Sequence, residues 1–142
     1  MKTHLNLATT DLKRSVAFYS TLLQREPLKQ FDDYALFVTE DPGLELALDL
    51  NPAFAQTHGA HFGIVVDSTA GVDAAIERLQ SAGLDTLIER EETCCYANQT
   101  KVWASDPDGR RWEVYTVHDE TQERDDADTT CCSTESERSC CV

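Results

Sequence analysis

Apolar positions along residues 2–117 follow one pattern written twice. "THLNLATTDLKRSVAFYSTLLQ" opens on alternation, with Leu5 and Leu7 between polar neighbours, then changes to a helical period in which Leu12, Val16, Tyr19 and Leu23 recur. A period of two predicts a strand and a spacing of three to four predicts a helix, with Thr10 or Asp11 placed to cap it. "AHFGIVVDSTAGVDAAIERLQSAG" repeats the arrangement: Val72, Ile76 and Leu79 form the stripe, Asp67 or Ser68 is the cap, and Gly83 ends the helix. β-like runs follow each helix. They are residues 28–31, "YALFVTE" and "LELALDL" in the first copy, and "LDTLIERE", "TKVWASD" and "RRWEVYTV" in the second. "DPG" before Leu44 and "DPDG" before Arg110 are turn signals that join the last two strands of each copy as hairpins.

Each copy therefore reads β-α-β-β-β. One small sheet with one helix has a bare face, so the copies should pair. The expected class is α+β, with two paired βαβββ modules forming a curved mixed sheet around a cup. The domain spans residues 1–117, module 1 covering about 2–50 and module 2 about 60–117. A chain of 142 residues with 41% hydrophobic content can bury such a core unaided.

Strand parity says what the cup face carries. His4, Asn6 and Ala8 share one face of the first strand; His61, Gly63 and Val65 share one face of its repeat; Glu113 and Tyr115 share one face of the last strand. In each case the bulkier apolar set points the other way. His4 lies seven residues before Asp11 and His61 seven before Ser68, so the two histidines hold the same place in the repeat. Two imidazoles and one carboxylate are the donor set of non-haem iron(II) sites, which leave positions open for oxygen and substrate; zinc, nickel and manganese also accept it. Glu45 in "LELALDL" is the first copy's counterpart of Glu113.

Charge and cysteine usage narrow the function. A net charge of −14 opposes binding to nucleic acid and to anionic membranes. No apolar run approaches the roughly 18 residues of a membrane span, and the first residues contain no signal-peptide core, so the cytoplasm is the expected compartment. The six cysteines form three adjacent pairs, Cys94/Cys95, Cys131/Cys132 and Cys140/Cys141. A disulfide framework spreads its cysteines, and a structural zinc site separates them by two to four residues. Composition changes at residue 118: the stretch to Val142 holds eight acids and, cysteine aside, almost nothing apolar. It reads as a disordered acidic tail, serving solubility or carrying thiols that capture a soft ion.

The doubled βαβββ pattern, with donors on first and last strands, resembles the vicinal oxygen chelate superfamily, which includes glyoxalase I and extradiol dioxygenases. Within it, "TCCYANQTKVWASDPDGRRWEVYTV" is similar to the segment carried by carbon–arsenic lyases of bacterial arsenic resistance and by cadmium-induced proteins. The resemblance implies a lyase that holds Fe(II) on His4, His61 and Glu113, also its catalytic residues, and a trivalent organoarsenical on Cys94 and Cys95. The implied reaction is oxygen-dependent cleavage of methylarsenite, extending to aromatic arsenicals, with release of arsenite by a monomer or homodimer. Relatives often carry glutamine where this chain has His4. The span from His61 to Glu113 exceeds that from His4 to Glu45 by 11 residues, which makes "TCCYANQT" the expected loop over the cup. Two alternatives stay open: a glyoxalase-I-like isomerase using Glu45 as a fourth ligand, and a non-enzymatic thiol protein that sequesters metal ions.

Overall fold

The computed structural model describes residues 2–53, 55, 61–94 and 96–122, with Cys94 by its backbone alone. Its elements run β1 (Thr3–Thr9), α1 (Leu12–Leu23), β2 (Lys29–Gln30), β3 (Tyr34–Thr39), β4 (Leu44–Leu50), β5 (His61–Val65), α2 (Thr69–Ser81), β6 (Leu87–Cys94), β7 (Ala97–Ser105) and β8 (Arg111–Glu120). The βαβββ pattern occurs twice, as its sequence period predicts. The chain divides into two compact units, residues 1–58 with Ser105–Arg111, and residues 59–104 with the segment from Trp112 onward.

In the first unit the sheet order is β1-β4-β3-β2. β1 runs parallel to β4, and β3 is antiparallel to both β4 and β2. Ala35, Phe37, Leu46 and Leu48 are buried in its core. Asp11 is the cap of α1, its carboxylate accepting the Arg14 N–H at 3.0 Å. The buried stripe of α1 is Leu12, Ser15, Phe18, Tyr19 and Leu22, so it departs from the expected one at Val16 and Leu23, which are half-buried. The rotation has a polar cause that an apolar period cannot reveal. Ser15 enters the core because its hydroxyl is paired with Thr9 Oγ1 at 2.7 Å, which removes the penalty of burying it.

The Ser105–Arg111 turn belongs to this first unit, and Asp106 is its hub. One carboxylate oxygen accepts the backbone N–H groups of Asp108 and Arg110 at 2.9 and 2.8 Å; the other accepts Tyr19 Oη at 2.7 Å and Arg110 Nη1 at 3.0 Å. Arg110 Nη2 donates onward to the Ala8 carbonyl. A fully buried carboxylate is tolerated here because both oxygens are saturated and the guanidinium supplies the opposite charge. Asp106 is thus bonded to α1, and through Arg110 to β1.

The second unit has the sheet order β5-β8-β7-β6. Ser68 caps α2, accepting the Gly71 N–H, and the helix buries Val72, Ala75, Ile76 and Leu79. Gly83, at φ +75, makes the left-handed stop that a side chain would disfavour. Phe62 packs against Trp112 with ring centroids 4.9 Å apart, and Val102 and Val114 are buried.

Two features of this unit differ from expectation. "TCCYANQT" is not a loop: β6 continues through Cys94 and pairs with β7 from Ala97, leaving only residues 95 and 96 between the paired ends. The second copy spends its extra length on a hairpin, β6 having eight residues where β2 has two. Paired strands satisfy their own backbone donors and acceptors, which an open loop must leave to water. In addition β8 runs to Glu120, past the composition change at 118, with His118 Nε2 2.8 Å from Thr100 Oγ1 and the Thr121 N–H donating to the Tyr96 carbonyl.

A bulge interrupts the β6–β7 ladder. Glu89 pairs with Lys101, but Glu92 pairs with Gln99, so β6 carries one extra residue there. Glu91 takes φ 52; its N–H donates to Thr100 Oγ1 at 3.1 Å, and its carbonyl accepts Asn98 Nδ2 at 2.8 Å. The extra residue changes which thiol-segment position meets the row of Gln99 and Lys101. Cys94, rather than Thr93, is in register with Ala97.

Candidate functional site

Each unit brings together a histidine from its first strand and a glutamate from its last. In the first unit His4 and Glu45 are register partners across the parallel β1–β4 pair, with Nδ1 3.6 Å from Oε2 and both side chains largely exposed. In the second, β5 and β8 are neighbours, and His61 Nε2 lies 3.7 Å from Glu113 Oε1. Both separations exceed hydrogen-bond length. Strand parity is the reason for both pairings, since each residue lies on the face opposite its sheet's apolar set.

The second pair is much more enclosed. Glu113 is buried, with its side chain 11% exposed. Gly63, two residues after His61, makes room for it: a Cβ on Gly63 would stand 3.2 Å from Glu113 Cγ and Oε1, and 2.9 Å from Tyr115 Cε1. On the other side Lys101 Nζ lies 3.4 Å from Glu113 Oε2 and 3.8 Å from Glu89 Oε2. Oε2 is buried and accepts no hydrogen bond among the described residues. Trp103 completes this face, its ring edge-on to His61 at 5.3 Å and under the Lys101 ammonium at 5.4 Å.

The His61–Glu113 pair fits a divalent ion. It offers an imidazole nitrogen and a carboxylate oxygen facing each other without a mutual hydrogen bond, and the carboxylate is seated where its ionic form is matched by a cation. Two donors about 2.1 Å from one metal at right angles lie about 3 Å apart, so a small inward movement of either side chain suffices. Imidazole with carboxylate suits iron(II), zinc, nickel or manganese. Among the described residues no group of three or more His, Cys, Asp or Glu is clustered closely enough to hold a metal. His4 stands with Glu45 in the first unit. Cys94 ends β6, while Cys95, Cys131, Cys132, Cys140 and Cys141 lie outside the described residues.

Lys101, Glu89, Trp103 and Gly63 are the participants that reading for metal donors overlooks. The signal for three of them is present in the sequence: a lysine and a tryptophan two apart in "TKVWASD" alternate with apolar Val102 and Ala104, so they face away from the core. A glycine inside the "HFGIVV" strand likewise signals close approach by a neighbour.

Two four-stranded sheets, each built from one βαβββ repeat, define the fold class of this chain. The chain belongs to the Glyoxalase/Bleomycin resistance protein/Dioxygenase superfamily, whose family model matches residues 3–114. It is 41% identical over 133 residues to a trivalent organoarsenical cleaving enzyme of Bacillus sp. (strain MD1), covering 93% of this chain and 83% of that protein. It is 46% identical over 116 residues to the cadmium-induced protein CadI of Mycobacterium tuberculosis (strain ATCC 25618 / H37Rv), covering 82% of this chain and 76% of that one. Among solved structures, a glyoxalase/bleomycin resistance protein/dioxygenase from Alicyclobacillus acidocaldarius shares the fold with a TM-score of 0.67 at 18% identity, covering 84% of this chain and 92% of that one.

Proposed function

We propose that this protein is a carbon–arsenic lyase that uses iron(II) and dioxygen to cleave trivalent organoarsenicals, methylarsenite first and aromatic arsenicals in addition, releasing arsenite as a cytoplasmic resistance function. The observation that carries the proposal is the adjacent Cys94–Cys95 pair in a chain 41% identical to a protein named for that cleavage. Trivalent arsenic bearing one carbon has two exchangeable positions. Two neighbouring thiolates fill both, and thiolates bind soft centres that oxygen donors hold poorly. Cys94 ends β6, where the bulge at Glu91 sets its backbone in register with Ala97.

In this reading His61 and Glu113 are joined by His4 as the protein ligands. Iron(II), when bound there, supplies the reactivity with dioxygen. The chain's own contribution is positioning: thiols fix the arsenic, while the imidazoles and carboxylate fix the place where oxygen is used. The experiment is aerobic turnover of methylarsenite by the iron-loaded full chain, with arsenite as the assayed product. Cys94→Ser and Cys95→Ser each leave one thiol for two positions and abolish organoarsenical binding while metal content stays near one ion per chain. Full activity in both variants rules the lyase out.

A second reading rests on the His4–Glu45 pair, whose 3.6 Å separation mirrors that of His61 and Glu113. With Glu45 as a fourth ligand the protein would isomerise a glutathione hemithioacetal without oxygen, in the manner of glyoxalase I. That reading has no use for the cysteines. Assaying both reactions on one preparation separates the two.

A further inference from the structure

Lys101 is a buried cation that neither the donor set nor the thiols employ. Its side chain is 4% exposed, and it stands between two carboxylates that are also buried, Glu89 at 3.8 Å and Glu113 at 3.4 Å. We propose that Lys101, itself held by Glu89, is a positioning residue for Glu113. It engages Oε2, so that Oε1 is the oxygen presented beside His61 to a metal ion. This inference rests on the metal-site reading above and adds to it the groups that set the carboxylate's orientation and charge.

The two oxygens of Glu113 are already divided in this way. Oε1 faces His61 Nε2 at 3.7 Å and Oε2 faces Lys101 Nζ, while Gly63 leaves the carboxylate stem room to lie between them. A carboxylate free to rotate offers a metal either oxygen or both; one whose second oxygen faces a buried ammonium offers one. Outer partners of this kind orient a ligand and set its basicity.

Glu89 explains why the lysine does not simply neutralise the ligand. A lone Lys101–Glu113 pair would be neutral and would attract a divalent cation weakly. With Glu89 the trio carries a net charge of −1, which at low local dielectric favours a cation beside Glu113. Register supports the arrangement, because Glu89 and Lys101 are cross-strand partners immediately before the bulge. Trp103 under the ammonium adds a cation–π contact that further fixes the Lys101 head.

Among the described residues of the first unit no lysine or arginine is paired with Glu45: its register partner on β3 is Val38, which offers no charge, and Glu45 is 45% exposed. One glutamate of the repeat is therefore held for a fixed task and the other is not, which assigns the role of constant ligand to Glu113.

The test is a Co(II) titration of the metal-free full chain, following both affinity and the visible d–d absorption bands, with urea unfolding of each variant alongside. Lys101→Met removes a positive charge, which by itself favours Co(II), but loss of the orienting partner outweighs that gain: binding weakens by about tenfold, and the bands shift as Glu113 gains freedom to rotate. Lys101→Arg, which keeps the charge, recovers most of the affinity and the wild-type bands. Glu89→Gln weakens binding while preserving the fold, and in a Glu113→Gln background Lys101→Met has no further effect on Co(II). Should Lys101→Met not fold, the arginine and Glu89→Gln variants decide the question alone. Wild-type affinity and bands in Glu89→Gln, together with the same in whichever Lys101 variants fold, overturn the assignment while the metal site stands. Failure of the wild-type chain to bind Co(II) overturns the metal-site reading itself, and this inference with it.

Discussion

Nε2 of His61 stands 3.7 Å from Oε1 of Glu113, across the neighbouring strands β5 and β8 that open and close the second repeat. If this pair is the fixed part of a three-ligand site, His61→Ala or Glu113→Ala leaves too few donors to retain iron(II), and elemental analysis after loading and desalting will find little metal. Glu45→Gln will keep the metal and the release of arsenite, since the remaining positions belong to water, oxygen or substrate. Loss of metal from Glu45→Gln, with oxygen-independent isomerisation by the wild type, would favour the glyoxalase-like reading instead.

Gly63 supports Glu113 by having no side chain. The methyl of Gly63→Ala would meet Tyr115 Cε1 at 2.9 Å and Glu113 at 3.2 Å, so one of them must move. Overpacking of this kind costs about 1–3 kcal/mol in urea unfolding. If Glu113 is what yields, Co(II) affinity falls along with stability; a variant with lower stability and wild-type affinity shows that Tyr115 moved alone.

The Asp106 hub separates two kinds of loss. Arg110→Met strips the charge partner from a fully buried carboxylate and should cost about 3–5 kcal/mol. Tyr19→Phe removes one hydrogen bond of four to the same group and should cost about 1–2 kcal/mol. Comparable losses in the two variants, measured by chemical denaturation, would show that the guanidinium carries less than the geometry indicates.

Asp108 gives a pH signature in the same turn. Burial acts to raise its carboxyl pKa, but hydrogen bonds from Thr10 and Thr9 and the Arg110 charge outweigh it, leaving the group below its ordinary 3.8. A carboxyl with a lowered folded-state pKa contributes stability above its unfolded pKa and loses it as pH falls through the folded one. Unfolding measured from pH 6 downward should therefore show less acid dependence in Asp108→Asn than in the wild type, the difference opening below about pH 4. Parallel profiles for the two proteins would remove Asp108 from the acid response.

The sequence alone determined the features that follow from local period. The repeat, the two helices with caps at Asp11 and Ser68, the stop at Gly83 and the face carrying His4, His61 and Glu113 all follow from spacings of two or three to four, which backbone geometry imposes on neighbouring residues. That Cys94 stands beside Cys95 is likewise a fact of the sequence alone. Tertiary structure decided whatever depends on which strand meets which, and in what register. Lys101 becomes a partner of Glu113 only once β7 lies beside β8, and of Glu89 only once β6 is aligned on β7. Ser15 enters the α1 stripe only because Thr9 waits for its hydroxyl, and Asp106 becomes a hub only when it meets Tyr19 from 87 positions away. Periodicity records which face of an element is buried; the partner that makes a polar group bearable on that face is supplied by another part of the chain, and no local pattern encodes it.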